Sequence, residues 1–304
     1  MRILVTGGAG FIGSHLVEAY LAEGHEVAVV DNLATGRRSN VARGAQLFEV
    51  DLHARELDRV FDEFRPEIVN HHAAQASVKV GNQDPVHDLE VNGGGTARLM
   101  QLAVKHEVKK VIYSSSGGTV YGNPHTLPVT EEHAIAPMSN YGTSKFVGEL
   151  YVALAARTSD IETTIFRYGN AFGPRQDPHG EAGVIAIFTG LMLDGKQCTI
   201  DGDGEQKKDY LFVGDIARAN VLALTRGNGL VANIGTGVGI TVNHIFETLS
   251  RFTGNEVEPL HGPPRQGDVR NFWLDFSTAK DALGWEPSVT FEEGVRLTVA
   301  SYRK

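Results

Sequence analysis

The sequence predicts an α/β architecture: a doubly wound parallel sheet over residues 1–167, with a return near 229–250, and a smaller C-terminal domain over 168–304. Three observations carry this. Short β-branched apolar runs alternate with stretches of helical spacing as far as about residue 167. The first run opens into a glycine-rich turn and then a helix. From about residue 168 the composition changes, and Pro, Gly and charges gather in GPRQDPHGEAG, DGDGEQKKD and LHGPPRQGD, as in loops joining the short elements of a cap.

The chain starts MRILVTGGAGFIGSHLVEAYLAEGHEVAVVDN. ILV reads as a buried strand, and Gly7, Gly8, Gly10 and Gly13 follow it. Ile12, Leu16, Ala19 and Tyr20 then recur at helical spacing until Gly24 ends the helix. EVAVV is a second strand, closed by Asp31. This strand–turn–helix–strand order is the context that a dinucleotide-binding (Rossmann) fingerprint requires. Glycines at the turn let the backbone approach a pyrophosphate, and the helix N-terminus offers unpaired N–H groups to it. Asp31 stands where a carboxylate meets the adenosine ribose hydroxyls. A carboxylate there repels a 2′-phosphate, so NAD is expected rather than NADP. Arg37 and Arg38 argue the other way, unless they only form a solvated loop.

LFEVDL (47–52) and EIVNHHAA (67–74) read as the next strands, each after a helical stretch. EVNGGGTARLMQLAVKHE reads as a helix entered through glycines, with Leu99, Leu102 and Ala103 on one face. KKVIYSSSGG and IETTIFRYGN are further strands, and GLVANIGTG (229–237) is strand-like again, so the domain boundary is not a single cut. In doubly wound sheets ligands sit beyond the carboxyl ends of the strands. NHHAAQ, SSSGG and RYGN all follow strand ends and are expected to line one crevice.

Composition excludes several classes. Of 304 residues 41% are hydrophobic and 21% charged, ordinary for a soluble globular chain. A net charge of −9 does not suit a nucleic-acid surface. Cys198 is the single cysteine, which favours a reducing cytoplasm. RILVTGG is too short an apolar run for a signal peptide, and no run is long enough for a membrane span. His71 and His72 are neighbours on a strand and point to opposite faces, while Asp201 and Asp203 in DGDGE read as a turn, so no metal is expected.

NYGTSKFVGEL (140–150) brings the chemistry. Tyr141 and Lys145 lie four apart on a helix and project from one face. A free phenol has a pKa near 10 and is a poor base. A neighbouring ammonium and an oxidised nicotinamide ring both favour phenolate, which would make Tyr141 a proton acceptor.

TGGAGFIG, HHAAQ, SSSGGTVYG, YGTSK, RYGNAFGPRQ, DYLFVGDIA, NIGTG and RQGDV fall in the order of the extended short-chain dehydrogenase/reductases, which the whole chain resembles. Within that family it is most similar to UDP-glucose 4-epimerases and related nucleotide-sugar 4-epimerases. The resemblance implies that Tyr141 takes the proton of the sugar C4 hydroxyl while hydride passes to tightly held NAD. The 4-keto sugar then turns over, and hydride returns to its other face. It implies a hydroxyl relay from Ser116 or Thr119, with the spacing to Tyr121 favouring Thr119. Related dehydratases carry an Asp–Glu pair, and decarboxylases a Glu, where this chain has Gly118 and Thr119. Epimerisation needs neither.

The same resemblance assigns cofactor contacts to Gly7, Gly10, Phe11, Ile12, Gly13, Asp31, Asn32, Thr35, Gly36, Asp51, Leu52, Ala73, Ala74, Gln75, Asn92 and Tyr168, besides Tyr141 and Lys145. It assigns the UDP-sugar to Asn170, Lys208, Arg265 and Asp268, with Phe272 limiting sugar size. Glucose, glucuronate, a pentose or an N-acetylhexosamine all stay open, as does a reductase or dehydrogenase with exchangeable cofactor. A homodimer is implied through helices near 92–106 and 141–157. Leu150, Val152, Ala153, Leu154 and Ala156 give the second helix more apolar cover than one core face needs, so burial on all sides within one chain is the alternative.

Overall fold

A computed structural model of the chain describes residues 1–179, 183–264 and 269–303. Seven strands run in parallel: Arg2–Thr6, Glu26–Asp31, Gln46–Glu49, Ile68–His71, Lys110–Ser116, Glu162–Tyr168 and Leu230–Ile234. Numbered in chain order, they lie across the sheet as seventh, sixth, fifth, fourth, first, second, third. The winding therefore reverses between the first and fourth strands, where a ligand crevice opens in such sheets.

The first two strands hold apolar runs, Ile3–Val5 and Val27–Val30, because both faces of the sheet centre are covered. Alternate residues of one strand point to opposite faces. Ile3, Val5, Val27 and Val29 pack with Leu16 and Tyr20 of helix Phe11–Ala22. Leu4, Ala28, Val30 and Val69 face the other way, onto Phe61, Leu99 and Val152. Each such fully buried side chain contributes about 1.5–3 kcal/mol. The sheet cannot be cut off at residue 167. Ile216 and Ala219 of helix Val213–Ala223, with Leu283 and Trp285, complete the first of these two faces.

Two expectations are corrected. No helix precedes the third strand. Residues 32–45 hold only a single tight turn at Arg38–Asn40. This segment is polar and is pinned to the glycine turn, with the Arg37 N–H and the Asn40 side chain both donating to the Ala9 carbonyl. The helix near 92–106 is not entered simply through glycines. Helix Pro85–Leu89 runs on through a wider, π-type turn at Glu90–Gly94 into helix Gly95–Lys105.

Beyond residue 168 the elements are short. Asn170–Phe172 pairs with Tyr210–Phe212, and Lys207–Lys208 lies between Ile240–Thr241 and Asn271–Phe272. Helices Val184–Leu193, Val242–Thr253 and Phe291–Tyr302 close on a separate core that contains Phe188, Ile245, Leu249, Val295 and the buried Cys198. Among the described residues no helix is long and apolar enough to cross a membrane. Helix Asn140–Thr158 buries Val152 and Ala155 on the large sheet. Leu150, Tyr151 and Leu154 face outward, so the excess apolar cover is not consumed within the chain.

Candidate active site

The turn after the first strand forms a cradle. Gly7 has φ +70°, and a Cβ there would stand 2.7 Å from the Ala73 amide nitrogen. A Cβ on Gly13 would stand 2.2 Å from the Gly7 carbonyl oxygen. Side chains are therefore excluded where the chain coils most tightly. Gly10 is the N-cap of helix Phe11–Ala22, and no side chain caps it. The leading N–H groups at Phe11, Ile12 and Gly13 are left for an anion. This donor set fits a dinucleotide pyrophosphate.

Asp31 ends the second strand, buried, and its carboxylate accepts from the Ala9 N–H at 3.0 Å and the Leu33 N–H at 2.8 Å. Gly36 backs onto it, since a Cβ would lie 2.8 Å from Asp31 Oδ1. Arg37 is paired with Asp177, and Arg38 with Glu49, so both guanidinia are already engaged with carboxylates. Asn32 donates to Asp51 at 2.7 Å, and the His53 N–H also holds the Asp51 carboxyl below its usual range. Thr35 lies exposed on this rim, and Leu52 is buried beneath it.

Past the fourth strand, the Ala73 N–H donates to Thr6 Oγ1 at 3.2 Å, with Ala74 beside it half-buried. The Gln75 N–H donates to Asn92 Oδ1 at 2.9 Å. Tyr168 closes the sixth strand. Its hydroxyl accepts from Asn220 at 2.8 Å and lies 3.3 Å from His72 Nε2, so that oxygen serves the core.

Helix Asn140–Thr158 starts at Ser139, whose hydroxyl accepts from the Gly142 N–H. Tyr141 and Lys145 stand one turn apart on it. Ser116, at the carboxyl end of the fifth strand, supplies the side-chain hydroxyl that opposes the rise of the Tyr141 phenol's pKa. Thr119 lies on the helical turn Gly117–Val120 that follows, its hydroxyl 3.4 Å from the Ser116 carbonyl oxygen.

The electrostatics also differ from expectation. Burial pushes the Tyr141 phenol up to about 12, with the Ser116 bond opposing and the nearby Asp88 charge adding to the rise. Burial lowers Lys145 to about 8, against the pull of Glu149 and Asp88. In the chain alone, desolvation dominates both groups, and neither has the other among the causes of its shift. The ammonium lies 4.7 Å over the Tyr113 ring. His71 and His72 are both held neutral, by burial first and then by Lys145.

On the substrate side, Asn170 donates to the Asp209 carbonyl at 3.1 Å, and its Oδ1 lies 3.9 Å from where a Gly118 Cβ would be. The space beside Gly118 is otherwise open. Lys208 Nζ donates to the Val269 carbonyl. Phe272 pairs with Lys208 in strand register and is buried among Val120, Tyr121, Val129 and Leu274. Arg265 and Asp268 lie outside the described residues.

Asp209 was quoted only as part of a motif, yet it organises this side. Its carboxylate accepts from the Thr236 hydroxyl at 2.7 Å and the Leu274 N–H at 3.0 Å, and its carbonyl from the Asn170 N–H at 2.8 Å. Burial raises it to about 6 against those donors. Asp88 and Ser144 were missed too. No local pattern marks them, because their partners come from three separate segments.

Known proteins share this arrangement. Residues 3–235 match the model of the NAD dependent epimerase/dehydratase family. A putative UDP-glucose 4-epimerase of Methanocaldococcus jannaschii is 43% identical over 297 residues, 98% of this chain and 97% of that one. The solved UDP-glucose 4-epimerase of Thermotoga maritima with UDP-glucose superposes with a TM-score of 0.98 at 48% identity, covering 100% of this chain and 99% of that one. The Thermus thermophilus UDP-glucose 4-epimerase complex with NAD gives 0.94 at 44% identity, covering 100% and 99%. With the glycine cradle, the Asp31 carboxylate and the Tyr–Lys helix all on one parallel sheet, and with full-length relatives at this identity, the chain belongs to the NAD dependent epimerase/dehydratase family.

Proposed function

We propose that the protein is a UDP-hexose 4-epimerase, interconverting UDP-glucose and UDP-galactose with retained NAD. The observation that carries this is the Tyr141 phenol, one helical turn from Lys145 and acted on by the Ser116 hydroxyl, with Gly118 and Thr119 after the fifth strand and so no carboxylate there. Elimination of water needs a further acid and base, whereas epimerisation needs one group that takes and returns a proton.

Gly7, Gly10, the first turn of helix Phe11–Ala22 and Asp31 hold the dinucleotide. When bound it supplies a hydride acceptor and donor and, in its oxidised form, a positive charge. Tyr141 accepts the C4 hydroxyl proton and gives it back, and Ser116 shares that proton by hydrogen bond. Lys145, one helical turn from Tyr141, supplies the local cation that favours phenolate. Asn170 and Lys208 face the diphosphate side, held by Asp209 and Val269, and the buried Phe272 ring bounds the sugar. The sheet with its returning strand binds cofactor, and the short elements beyond 168 bind substrate.

Incubating the purified protein with UDP-glucose and no added cofactor is the test. NMR should show UDP-galactose accumulating, with no net change in reduced-nicotinamide absorbance. Turnover only with added reduced dinucleotide would instead make the protein a reductase.

We further propose a homodimer through the outward apolar side of helices Gly95–Lys105 and Asn140–Thr158, where Val104, Leu150, Tyr151 and Leu154 are each exposed. Exposed apolar surface, where it is contiguous, marks interaction sites. Leu154→Lys should halve the mass measured by light scattering, and an unchanged mass would remove this face as the interface. The lone buried thiol of Cys198 suits a reducing cytoplasm.

A further inference from the structure

We propose that Asp88 is the buried counter-charge of the Tyr141–Lys145 pair, a positioning residue that sets the protonation pattern in which the pair works. The proposal rests on the epimerase reading above. Asp88 sits on helix Pro85–Leu89 and is fully buried. Its carboxylate accepts from the Gln75 amide, the Asn92 amide at 3.3 Å and the Ser144 hydroxyl. All three are neutral donors, and among the described residues no cation pairs with it. Glu149 differs, since its charge is met directly by Arg167 at 2.6 Å.

A buried carboxylate without a direct cation is expensive unless a charge nearby offsets it. Ser144 supplies the connection. It precedes Lys145 in the chain, and its hydroxyl lies 3.0 Å from the Tyr141 carbonyl oxygen. Asn92 secures the same corner from the π-type turn, donating to Ser144 at 3.0 Å and to the Gln75 carbonyl at 3.0 Å. Such turns interrupt a regular helix mostly at functional sites.

The groups around Lys145 can be enumerated. Glu149 lies on its own helix and is offset by Arg167. Tyr113 comes from the fifth strand, and its hydroxyl donates to the Lys145 carbonyl. His71 and His72 come from the end of the fourth strand and stay neutral. Tyr141 lies one turn before. Asp88 is the remaining charge, and it favours the protonated form of both Lys145 and Tyr141.

The sign follows. Without the Asp88 charge, Lys145 loses its proton at lower pH, and Tyr141 becomes phenolate at lower pH. Both limbs of a bell-shaped profile of kcat against pH move to the acid side together. Damage to packing alone lowers kcat and leaves the limbs in place.

Asp88→Asn is the test, because the amide keeps the shape, accepts from Gln75 and Asn92, and can donate to Ser144. Both limbs should move to lower pH by about one pH unit. A second readout needs no turnover. Tyrosinate absorbance is titrated in cofactor-loaded protein with and without Tyr141→Phe, and the difference isolates the Tyr141 midpoint. That midpoint should also fall in Asp88→Asn. Asp88→Ser gives the same two readouts should the asparagine variant not fold. Unmoved limbs with an unmoved midpoint overturn the proposal. A wild-type protein that epimerises nothing, while the midpoint still moves, overturns the epimerase reading and leaves the role of Asp88 standing.

Discussion

Tyr141→Phe is expected to fold, retain NAD and lose roughly 10²- to 10⁴-fold in kcat, the range general acid–base groups supply. The substitution removes one oxygen and keeps the ring. The interaction lost is the one with the Ser116 hydroxyl. The base itself disappears, so the effect falls on turnover rather than on sugar binding, and KM should change little. Turnover of UDP-glucose by the variant is measured by NMR beside its cofactor content by absorbance. Wild-type kcat in a cofactor-loaded variant would remove Tyr141 as the base. The wild-type pH profile has a predicted sign as well. Lys145 is lowered to about 8, so kcat/KM, which reports the free enzyme, should fall as pH rises through that value and the local cation is lost.

Arg167→Met is expected to destabilise the fold by about 3–5 kcal/mol, the range for breaking one side of a buried ion pair. Arg167, on the sixth strand, donates through Nε at 3.0 Å and Nη2 at 2.6 Å to Glu149 of helix Asn140–Thr158. Its Nη1 donates to the Tyr121 hydroxyl at 2.9 Å, and that hydroxyl donates to Asn233 Oδ1 at 2.7 Å on the seventh strand. One guanidinium thus joins helix Asn140–Thr158 to two strands and to the loop around Val129. Burial disfavours its charge, and Glu149 more than reverses this, holding Arg167 above its ordinary value. Methionine fills much of the volume but leaves a carboxylate buried with only the Ser115 hydroxyl to answer it. Urea unfolding followed by circular dichroism should show a midpoint well below wild type. The double variant Arg167→Met with Glu149→Leu should recover part of the loss, because an apolar pair strands no charge. A single variant as stable as wild type would show that the pair holds nothing together.

The parts of the site legible in the sequence are those made by neighbours in the chain. Gly7, Gly10 and Gly13 sit in one turn, and their spacing alone says that backbone must come close to something there. Tyr141 and Lys145 share a helix, so four residues of separation place them together. The strands were legible for the same reason. A strand buried on both faces reads as an apolar run, as Ile3–Val5 and Val27–Val30 do, whereas Gln46–Glu49 at the sheet edge and the polar-bearing Lys110–Ser116 and Glu162–Tyr168 carry a weaker signal.

Tertiary structure alone sets how Ser116 and Thr119 stand to the phenol, because this depends on where the fifth strand stops and the chain starts to coil. It also decided the state of the pair. A sequence shows that an ammonium lies near a phenol, but desolvation depends on everything packed around them, and here it holds Tyr141 at about 12. Asp88, Asp209 and the Glu149–Arg167 bridge belong to the same class, since their partners arrive from distant segments. Backbone geometry is local and can be read along the chain, whereas charge responds to a three-dimensional surrounding that only the folded molecule assembles.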